Sequence, residues 1–180
     1  MTAHTARRDQ RRVPLPVSWT LLVHRARLLA SYLDRSGVRP GDRVAIDMPA
    51  GPALTALTYA CWQSGMTVVV SDPSLTTGQR IDAFSRAEPT ALVSTSPGLR
   101  ASRSISSVRV RVAAEPLTVV ARAVLHSGWD ERELSRGRLT DGSTPGDVPA
   151  EAAVVVGQDA DGQPSSTSYS QSELVTLAAV

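Results

Sequence analysis

Residues 44–93 read VAIDMPAGPALTALTYACWQSGMTVVVSDPSLTTGQRIDAFSRAEPTALV, and this stretch decides the fold. Its three short apolar runs, at residues 44–48, 67–70 and 91–93, are typical of strands buried on both faces of a parallel sheet. Two segments with helical spacing of their apolar residues separate these runs. Strands that alternate with helices of this length indicate right-handed βαβ units. The sequence therefore predicts an α/β fold with a mostly parallel βαβαβ sheet flanked by helices.

A helix is predicted before this core. Apolar side chains recur at spacings of three and four from Trp19 to Leu33, which places them along one stripe of a helix. Ser18 is a candidate N-cap for this helix. Gly37 is a candidate stop, because glycine readily takes the left-handed conformation that ends many helices.

The pattern weakens between residues 95 and 150. Strict alternation over residues 108–112 predicts a half-exposed strand, and the apolar residues 117–125 fit either a strand or a helix. Residues 126–150 are rich in Gly, Ser, Arg and Asp, which favours a loop or linker.

The last thirty residues carry one more strand pattern. The apolar run at residues 152–156 predicts a buried strand, and the small and polar residues 157–168 predict a loop. A helical pattern begins at residue 170, with Ser170 or Ser172 as its cap.

The composition is that of a globular protein, with 42% hydrophobic and 20% charged residues in a chain of 180. This length suggests one domain, which we assign to residues 14–180. Residues 1–13 are polar and contain several arginines, so we interpret them as a disordered basic tail. The tail lacks aromatic residues between its arginines, and nucleic-acid binding is therefore not expected.

All 19 basic residues are arginine, so the chain offers no side-chain amine for catalysis. The single cysteine, Cys61, excludes an internal disulfide and a cysteine-based zinc site. It lies on the apolar face of a predicted helix and is expected to be inert. No segment has the roughly 20 apolar residues of a membrane helix. We therefore expect a cytoplasmic protein that is not inserted in a membrane.

Short motifs follow one another through residues 18–94. They are Ser18-Trp19, GVRPGDRV at 37–44, Gly51-Pro52, WQSG at 62–65, Asp72-Pro73 and AEPTALV at 87–93. In this order and spacing they resemble the N-terminal portion of the adenylate-forming (AMP-dependent) synthetase and ligase superfamily. That superfamily includes acyl-CoA synthetases, fatty acyl-AMP ligases and the adenylation domains of peptide synthetases. The resemblance is clear over residues 14–94, uncertain over 95–150 and degenerate over 151–180.

The resemblance implies where an ATP site would lie. Family members carry a loop similar to Thr-Ser-Gly-Thr-Thr-Gly-x-Pro-Lys-Gly, whose hydroxyls, backbone N–H groups and lysine hold the phosphates of ATP. The corresponding stretch here is GQDADGQPSS at residues 157–166. The positions carried over to it as a degenerate ATP-phosphate loop are Gly157, Gly162, Pro164, Ser165 and Ser166.

The loop departs from the family pattern in its charges. Ser165 stands at the lysine position, and Asp159 and Asp161 replace part of the hydroxyl-rich stretch. These two carboxylates would face a phosphate chain, and two like charges 4 Å apart repel by ~4 kcal/mol at an effective dielectric constant of 20. We therefore predict weak or absent ATP binding.

The family's later motifs, including its metal-binding acidic residue and catalytic lysine, have no counterpart in this sequence. The resemblance therefore implies a truncated, catalytically inactive pseudoenzyme that acts as a partner or scaffold, without catalytic or metal-binding residues and without a cofactor. One alternative is the N-terminal half of a split acyl- or aminoacyl-adenylating enzyme. Only this alternative implies the use of ATP and magnesium. The other is a stand-alone protein that binds a nucleotide or an acyl group.

Some further residues bear on partners and sites. Trp62, Phe84 and residues 174–180 are candidates for exposed apolar surface, which would favour a protein partner or self-association. Asp47 ends a predicted strand at the ligand-binding edge of such sheets, but we favour a structural, loop-capping role for it. Asp72, before Pro73, is expected to cap its own loop.

Overall fold

A computed structural model describes residues 18–125 and 149–178 of the chain. The predicted basic tail at residues 1–13 lies outside the described residues, as does nearly all of the predicted linker at 126–150. Within the described residues, six strands form one sheet, with helices on both faces.

The elements alternate in the predicted manner. In chain order they are α1 (Trp19–Arg35), β1 (Arg43–Asp47), α2 (Pro52–Gln63), β2 (Thr67–Ser71), α3 (Thr77–Ala87), β3 (Ala91–Ser94), α4 (Ser96–Ala101), a 3-10 turn (Ser102–Ser104), β4 (Val110–Ala113), α5 (Val119–Leu125), β5 (Ala153–Gln158), β6 (Pro164–Tyr169) and α6 (Gln171–Ala178).

The strand order across the sheet is β4-β3-β1-β2-β5-β6. Neighbouring strands are parallel from β4 through β5, and the pair β5–β6 is antiparallel. This arrangement confirms the predicted α/β class with a mostly parallel sheet.

Side chains of the central strand alternate between two apolar layers. Val44 and Ile46 belong to a core cluster that contains Tyr32 of α1. Ala45 belongs to a second cluster, on the other face, that contains Phe84 of α3. This alternation explains why β1 has no polar residue at any of its three inner positions, since each of them faces a covering helix.

Glu151 ties the C-terminal segment to the N-terminal half of the sheet. Its carboxylate accepts hydrogen bonds from Arg43 Nε (3.0 Å) and Nη2 (3.1 Å) and from the Ser168 hydroxyl (2.6 Å). Its backbone carbonyl accepts a 2.6 Å bond from the Thr67 hydroxyl. The remaining Arg43 nitrogen, Nη1, donates to the Ala87 carbonyl at 3.1 Å. One carboxylate thus connects β1, β5 and β6.

The prediction of a loop over residues 157–168 is wrong. Gly157 and Gln158 continue β5, and residues 164–169 form β6, so the segment is a β-hairpin with a short turn. The run PSSTSY has no apolar periodicity because most of its side chains are exposed, and its order comes from backbone pairing with β5. An edge strand of this kind gives no signal in a hydrophobic pattern.

Two other expectations are settled by burial. Phe84 was expected to be exposed, but it is only 1% exposed because α3 presents it to the sheet. Trp62 is half-buried, and its indole N–H donates to the Ala152 carbonyl at 2.9 Å.

The apolar residues 117–125, which fitted a strand or a helix, contain the helix α5.

Candidate functional site

The β5–β6 hairpin contains the residues that sequence comparison assigns to a phosphate loop. Gly157 of β5 pairs with Ser165 of β6, and Val156 pairs with Ser166. Gly162 lies in the turn with a φ of 73°, a left-handed conformation that glycine adopts without strain. Pro164 begins β6, directly after this turn. The five assigned residues therefore lie in one hairpin, but most of them belong to strands.

The turn is held together by the side chain of Asp159. Its Oδ1 accepts hydrogen bonds from the backbone N–H of Asp161 (3.0 Å) and of Gln163 (2.8 Å). The N–H of Asp159 donates to the Gln163 carbonyl at 2.8 Å, and the N–H of Gly162 donates to the Asp159 carbonyl at 3.0 Å. Backbone N–H groups of a turn are the donors that make an anion site. Four of them are engaged within this turn, two by an internal carboxylate.

A further carboxylate lies beside the hairpin. The N–H of Asp72 donates to the Val156 carbonyl at 2.9 Å, and a methyl group built on Gly157 would lie 3.5 Å from Asp72 Cβ. Asp72 Oδ1 accepts from the N–H of Ser74 at 2.8 Å. Hydrogen bonds from the side chain and then the backbone of Ser74 lower the pKa of Asp72, which favours its charged form. Asp72 thus caps its loop, as predicted, and adds negative charge next to Gly157.

Positive charge lies on the α3 side of the hairpin. A cavity of about 130 Å³ there is lined by Arg43, Arg86, Ser166 and Ser168, among other residues. Ser166 and Ser168 pair with Val156 and Val154, whose side chains belong to the core cluster beneath α3. Arg86 is exposed at the end of α3, whereas Arg43 is engaged by Glu151. One water molecule occupies about 30 Å³, so a cavity of this size has room for a small anion.

On the side of α3 and α4, the crevice between the ends of β1 and β3 is filled by side chains of the chain itself. From β1 the chain continues to β2 on one side, and from β3 it continues to β4 on the other side. Open α/β sheets usually bind ligands at the point between two such strands. Here Asp47 Oδ2 accepts from the Ser94 hydroxyl at 2.9 Å, and Asp47 Oδ1 lies 3.4 Å from Arg80 Nε. A methyl group on Gly98 would overlap Ser94 Oγ and lie 2.6 Å from Asp47 Oδ2. Asp47 thus accepts a hydrogen bond from β3 and forms an ion pair with α3, and the predicted loop-capping role does not describe these contacts.

The remaining candidate groups form no site. Cys61 is buried in the core, and burial raises the pKa of its thiol to about 12. His24 is exposed on α1. Across residues 18–125 and 149–178, no cluster of His, Cys, Asp and Glu could hold a metal ion. In the same part of the chain, no helix combines the length and apolar character needed to span a bilayer.

The inward orientation of Asp159 was not foreseen from the sequence. We expected its carboxylate to face a phosphate chain, but Oδ1 points back into the turn. The signal was present in the run DADG at residues 159–162, because an aspartate in a turn commonly bonds the backbone N–H two residues on, as Asp159 does with Asp161.

The chain matches a known protein family over most of its length. The family model described as "AMP-binding enzyme" matches residues 6–161. No curated protein sequence matches the chain.

The chain is similar in fold to parts of larger solved structures. The adenylation domain of a carboxylate reductase from Mycobacterium chelonae is 18% identical, with a TM-score of 0.74, over 91% of this chain and 29% of that one. An amide bond synthetase from Marinactinospora thermotolerans is 22% identical, with a TM-score of 0.69, over 91% and 31%. A putative long-chain-fatty-acid CoA ligase from Rhodopseudomonas palustris is 19% identical, with a TM-score of 0.72, over 92% and 40%.

These likenesses are too low in identity to show more than a shared fold, and the chain spans about a third of the length of the structures it matches. The predicted resemblance is nevertheless confirmed, because the family model covers more than half of the chain. The mostly parallel six-stranded α/β sheet agrees with it. This chain belongs to the AMP-binding enzyme family, of which it represents an N-terminal portion.

Proposed function

We propose that this chain does not form adenylates by itself and serves as a protein partner or scaffold. The observation that carries the proposal is the carboxylate of Asp159, which accepts two backbone N–H groups of the turn at 3.0 and 2.8 Å. Backbone N–H groups of a turn are the kind of donor that binds a phosphate. A carboxylate of the protein that already occupies them competes directly with such a ligand.

The charge at the turn itself, away from the cavity beside α3, supports the same proposal. Asp72 and Asp161 add negative charge near the turn, and Ser165 stands where the family pattern has lysine. The chain contains no lysine at all, so no residue of this chain replaces that cation with an amine. A polyanion would therefore approach like charges, which repel it.

A thermal-shift titration tests the proposal. The natural chain is titrated with Mg-ATP and with AMP, next to the triple variant Asp159→Gly, Asp161→Thr, Ser165→Lys. A ligand at one hundred times its dissociation constant stabilises a folded protein by ~2.7 kcal/mol. We expect no shift for the natural chain and a higher melting temperature for the variant with Mg-ATP. Asp82→Asn, an exposed charge change on α3, is the control for a nonspecific response.

Two results of this titration would speak against the proposal. Stabilisation of the natural chain by Mg-ATP would show that the turn opens for phosphate, and the chain would then be a nucleotide binder. A triple variant that folds but does not respond would show that Asp159 is not what prevents binding.

A second candidate is the N-terminal half of a split adenylating enzyme. Two features favour it: the chain covers only 29–40% of the structures compared above, and α6 exposes Val175 (66%) and Leu177 (60%). A second chain that supplies the remaining part would cover these side chains, and only that complex would use ATP and magnesium. Acid-dependent exchange of pyrophosphate into ATP by the reconstituted pair, and not by either chain alone, would establish it.

A further inference from the structure

The outer edge of β6 is open within the described residues, where no strand lies beyond it in the sheet. On β5, the Val156 carbonyl turns towards the β2 side and accepts from the Asp72 N–H. Its two neighbours on β5 therefore turn their backbone groups towards β6, and bonded positions alternate along β6 as well. Val156 lies opposite Ser166. Ser166 and Ser168 thus direct their backbone N–H and C=O groups away from β5, and both residues are exposed.

Apart from Pro164 at its start, β6 lacks the devices that usually protect an edge strand. Its six residues, Pro164–Tyr169, include no charged side chain. Proline has no N–H to donate, but it stands only at the first position, directly after the turn. Such an edge suits the addition of a further strand, whose backbone would pair with that of Ser166 and Ser168.

The cavity of about 130 Å³ described above lies beside this edge, between α3 and β6. Ser166 and Ser168 line it with small side chains, so a side chain from an added strand can pass over them into the cavity. The volume equals about four waters of about 30 Å³ each, which suits one short side chain.

The charge of the cavity selects the kind of side chain that enters. Its lining residues include two arginines and no acidic residue. Arg43 is engaged by Glu151 and by the Ala87 carbonyl, whereas no described residue forms a hydrogen bond or an ion pair with Arg86. An arginine in this state favours a carboxylate. A second copy of β6 would bring the uncharged run PSSTSY to this place and would leave Arg86 unmatched.

We propose that the β6 edge binds an extended acidic segment of a partner protein. The segment adds a strand to the sheet through backbone hydrogen bonds with Ser166 and Ser168, and one of its Glu or Asp side chains enters the cavity and pairs with Arg86. The inference rests on the proposed function, since it names the chemistry of the partner that such a scaffold binds.

Titration with synthetic strand-forming peptides tests the proposal. The probe is Thr-Val-Thr-Glu-Thr-Val-Thr, with versions that carry Gln or Lys in place of Glu, and NMR of the backbone amides of the protein measures both affinity and location. We expect the Glu peptide to bind most tightly and the Lys peptide least, with shifts at Ser166 and Ser168. Arg86→Gln should weaken the Glu peptide roughly three- to fivefold, as for a partly exposed ion pair, and leave the Gln peptide unchanged.

Arg100→Gln is the matched control. Arg86 and Arg100 are both exposed arginines in the last turn of a helix, but Arg100 does not line the cavity. The control should therefore bind the Glu peptide as the natural chain does. Equal effects of the two substitutions, or equal binding of the Glu and Lys peptides, would overturn the pairing with Arg86.

Two N-methylated versions of the Glu peptide test the strand addition without any change to the protein. Methyl groups on one set of alternate residues block one edge of the peptide, and methyl groups on the other set block the opposite edge. We expect only one of the two sets to abolish binding. Equal binding of both methylated peptides, or an absence of shifts along β6 in the folded natural chain, would contradict strand addition.

Sedimentation of the natural chain, with and without the Glu peptide, separates this occupant from a second copy. We expect a monomer that binds the peptide. A dimer that the Glu peptide does not dissociate, but that Ser166→Pro does, would assign the edge to self-association and overturn the proposal. The nucleotide titration reports on the turn at Asp159, so failure of the proposed function and failure of this inference are distinguishable.

Discussion

Gly98 shows how closely the chain packs at the end of β3. A methyl group at this position would overlap Ser94 Oγ and lie 2.6 Å from Asp47 Oδ2, so Gly98→Ala must disturb the Ser94–Asp47 hydrogen bond. We expect a loss of about 1–3 kcal/mol in the free energy of unfolding, as for other overpacked sites. Urea denaturation of the natural and variant proteins measures this change.

Gly78 provides the matched control for that substitution. It lies in the first turn of α3, where a methyl group would meet nothing within 4 Å. Gly78→Ala should therefore stabilise the protein by roughly 0.4–1 kcal/mol, through lower entropy of the unfolded chain. Equal effects of the two alanine substitutions would contradict the packing described for Gly98.

Individual residues were predictable from sequence where the chain makes local bonds. Asp72 precedes Pro73 and bonds the N–H of Ser74, two positions on, as a turn-forming aspartate does. Asp47 could be placed at a strand end, but its partners Ser94 and Arg80 are distant in sequence, and only the folded sheet brings them near.

The helix α6 begins with a reciprocal pair of hydrogen bonds. The N–H and the hydroxyl of Ser170 donate to Glu173 Oε2 at 2.7 and 2.8 Å, and the N–H of Glu173 donates to Ser170 Oγ at 3.3 Å. The bonds from the backbone and side chain of Ser170 lower the pKa of Glu173. The ionised Glu173 carboxylate therefore stabilises the helix. This stabilisation is fully present above the ordinary glutamate pKa of about 4.3 and is lost as the pH falls through the lower pKa of the folded state.

The Ser170→Ala variant tests this cap. We expect the pKa of Glu173 to rise towards its ordinary value, because one of its donors is removed, and the first turn of α6 to fray at neutral pH. Titration of the Glu173 carboxyl by NMR measures the first effect. Gln171→Ala, at an exposed neighbouring position, should leave the pKa unchanged. An unchanged pKa in Ser170→Ala would mean that the cap does not form.

Elements with an apolar face were predictable, and the hairpin strand β6 was not. The capped start of α6 at Ser170 follows from its spacing to Glu173, and the inner strands follow from their continuous apolar runs. The residues of β6 are small and polar, and their order depends on a pairing partner that a hydrophobic pattern does not reveal.

At the scale of the whole molecule, the contact between Arg43 and Glu151 joins segments 108 residues apart. The two side chains are 38% and 29% exposed, so solvent screens the pair. We expect Glu151→Ala to lower the free energy of unfolding by ~1 kcal/mol. Amide hydrogen exchange should increase in β5 and β6 more than in β1, because the hairpin loses its tie to the rest of the sheet.

Asp82→Ala is the control for this prediction, since it removes an exposed carboxylate from the surface of α3. Glu151→Gln should give a smaller effect than Glu151→Ala, because the amide oxygen can still accept from Arg43. A uniform increase in exchange across all strands would show that the pair stabilises the molecule as a whole and does not hold the hairpin specifically.

The global architecture was only partly predictable. The parallel βαβαβ core follows from residues 44–93, because right-handed crossovers leave few alternatives. The position of β5 beside β2 does not follow from the sequence. It depends on contacts such as Thr67 with Glu151 and Trp62 with Ala152, which form only when the chain closes on itself.

The turn closed by Asp159 has a consequence for how the stability of the protein responds to nucleotide supply. An enzyme whose phosphate loop is ordered by its nucleotide gains stability when that nucleotide is plentiful and loses it during starvation. A turn whose amide donors are satisfied by its own side chain has no such dependence. Under the function proposed above, the folding stability of this protein should therefore be independent of nucleotide concentration.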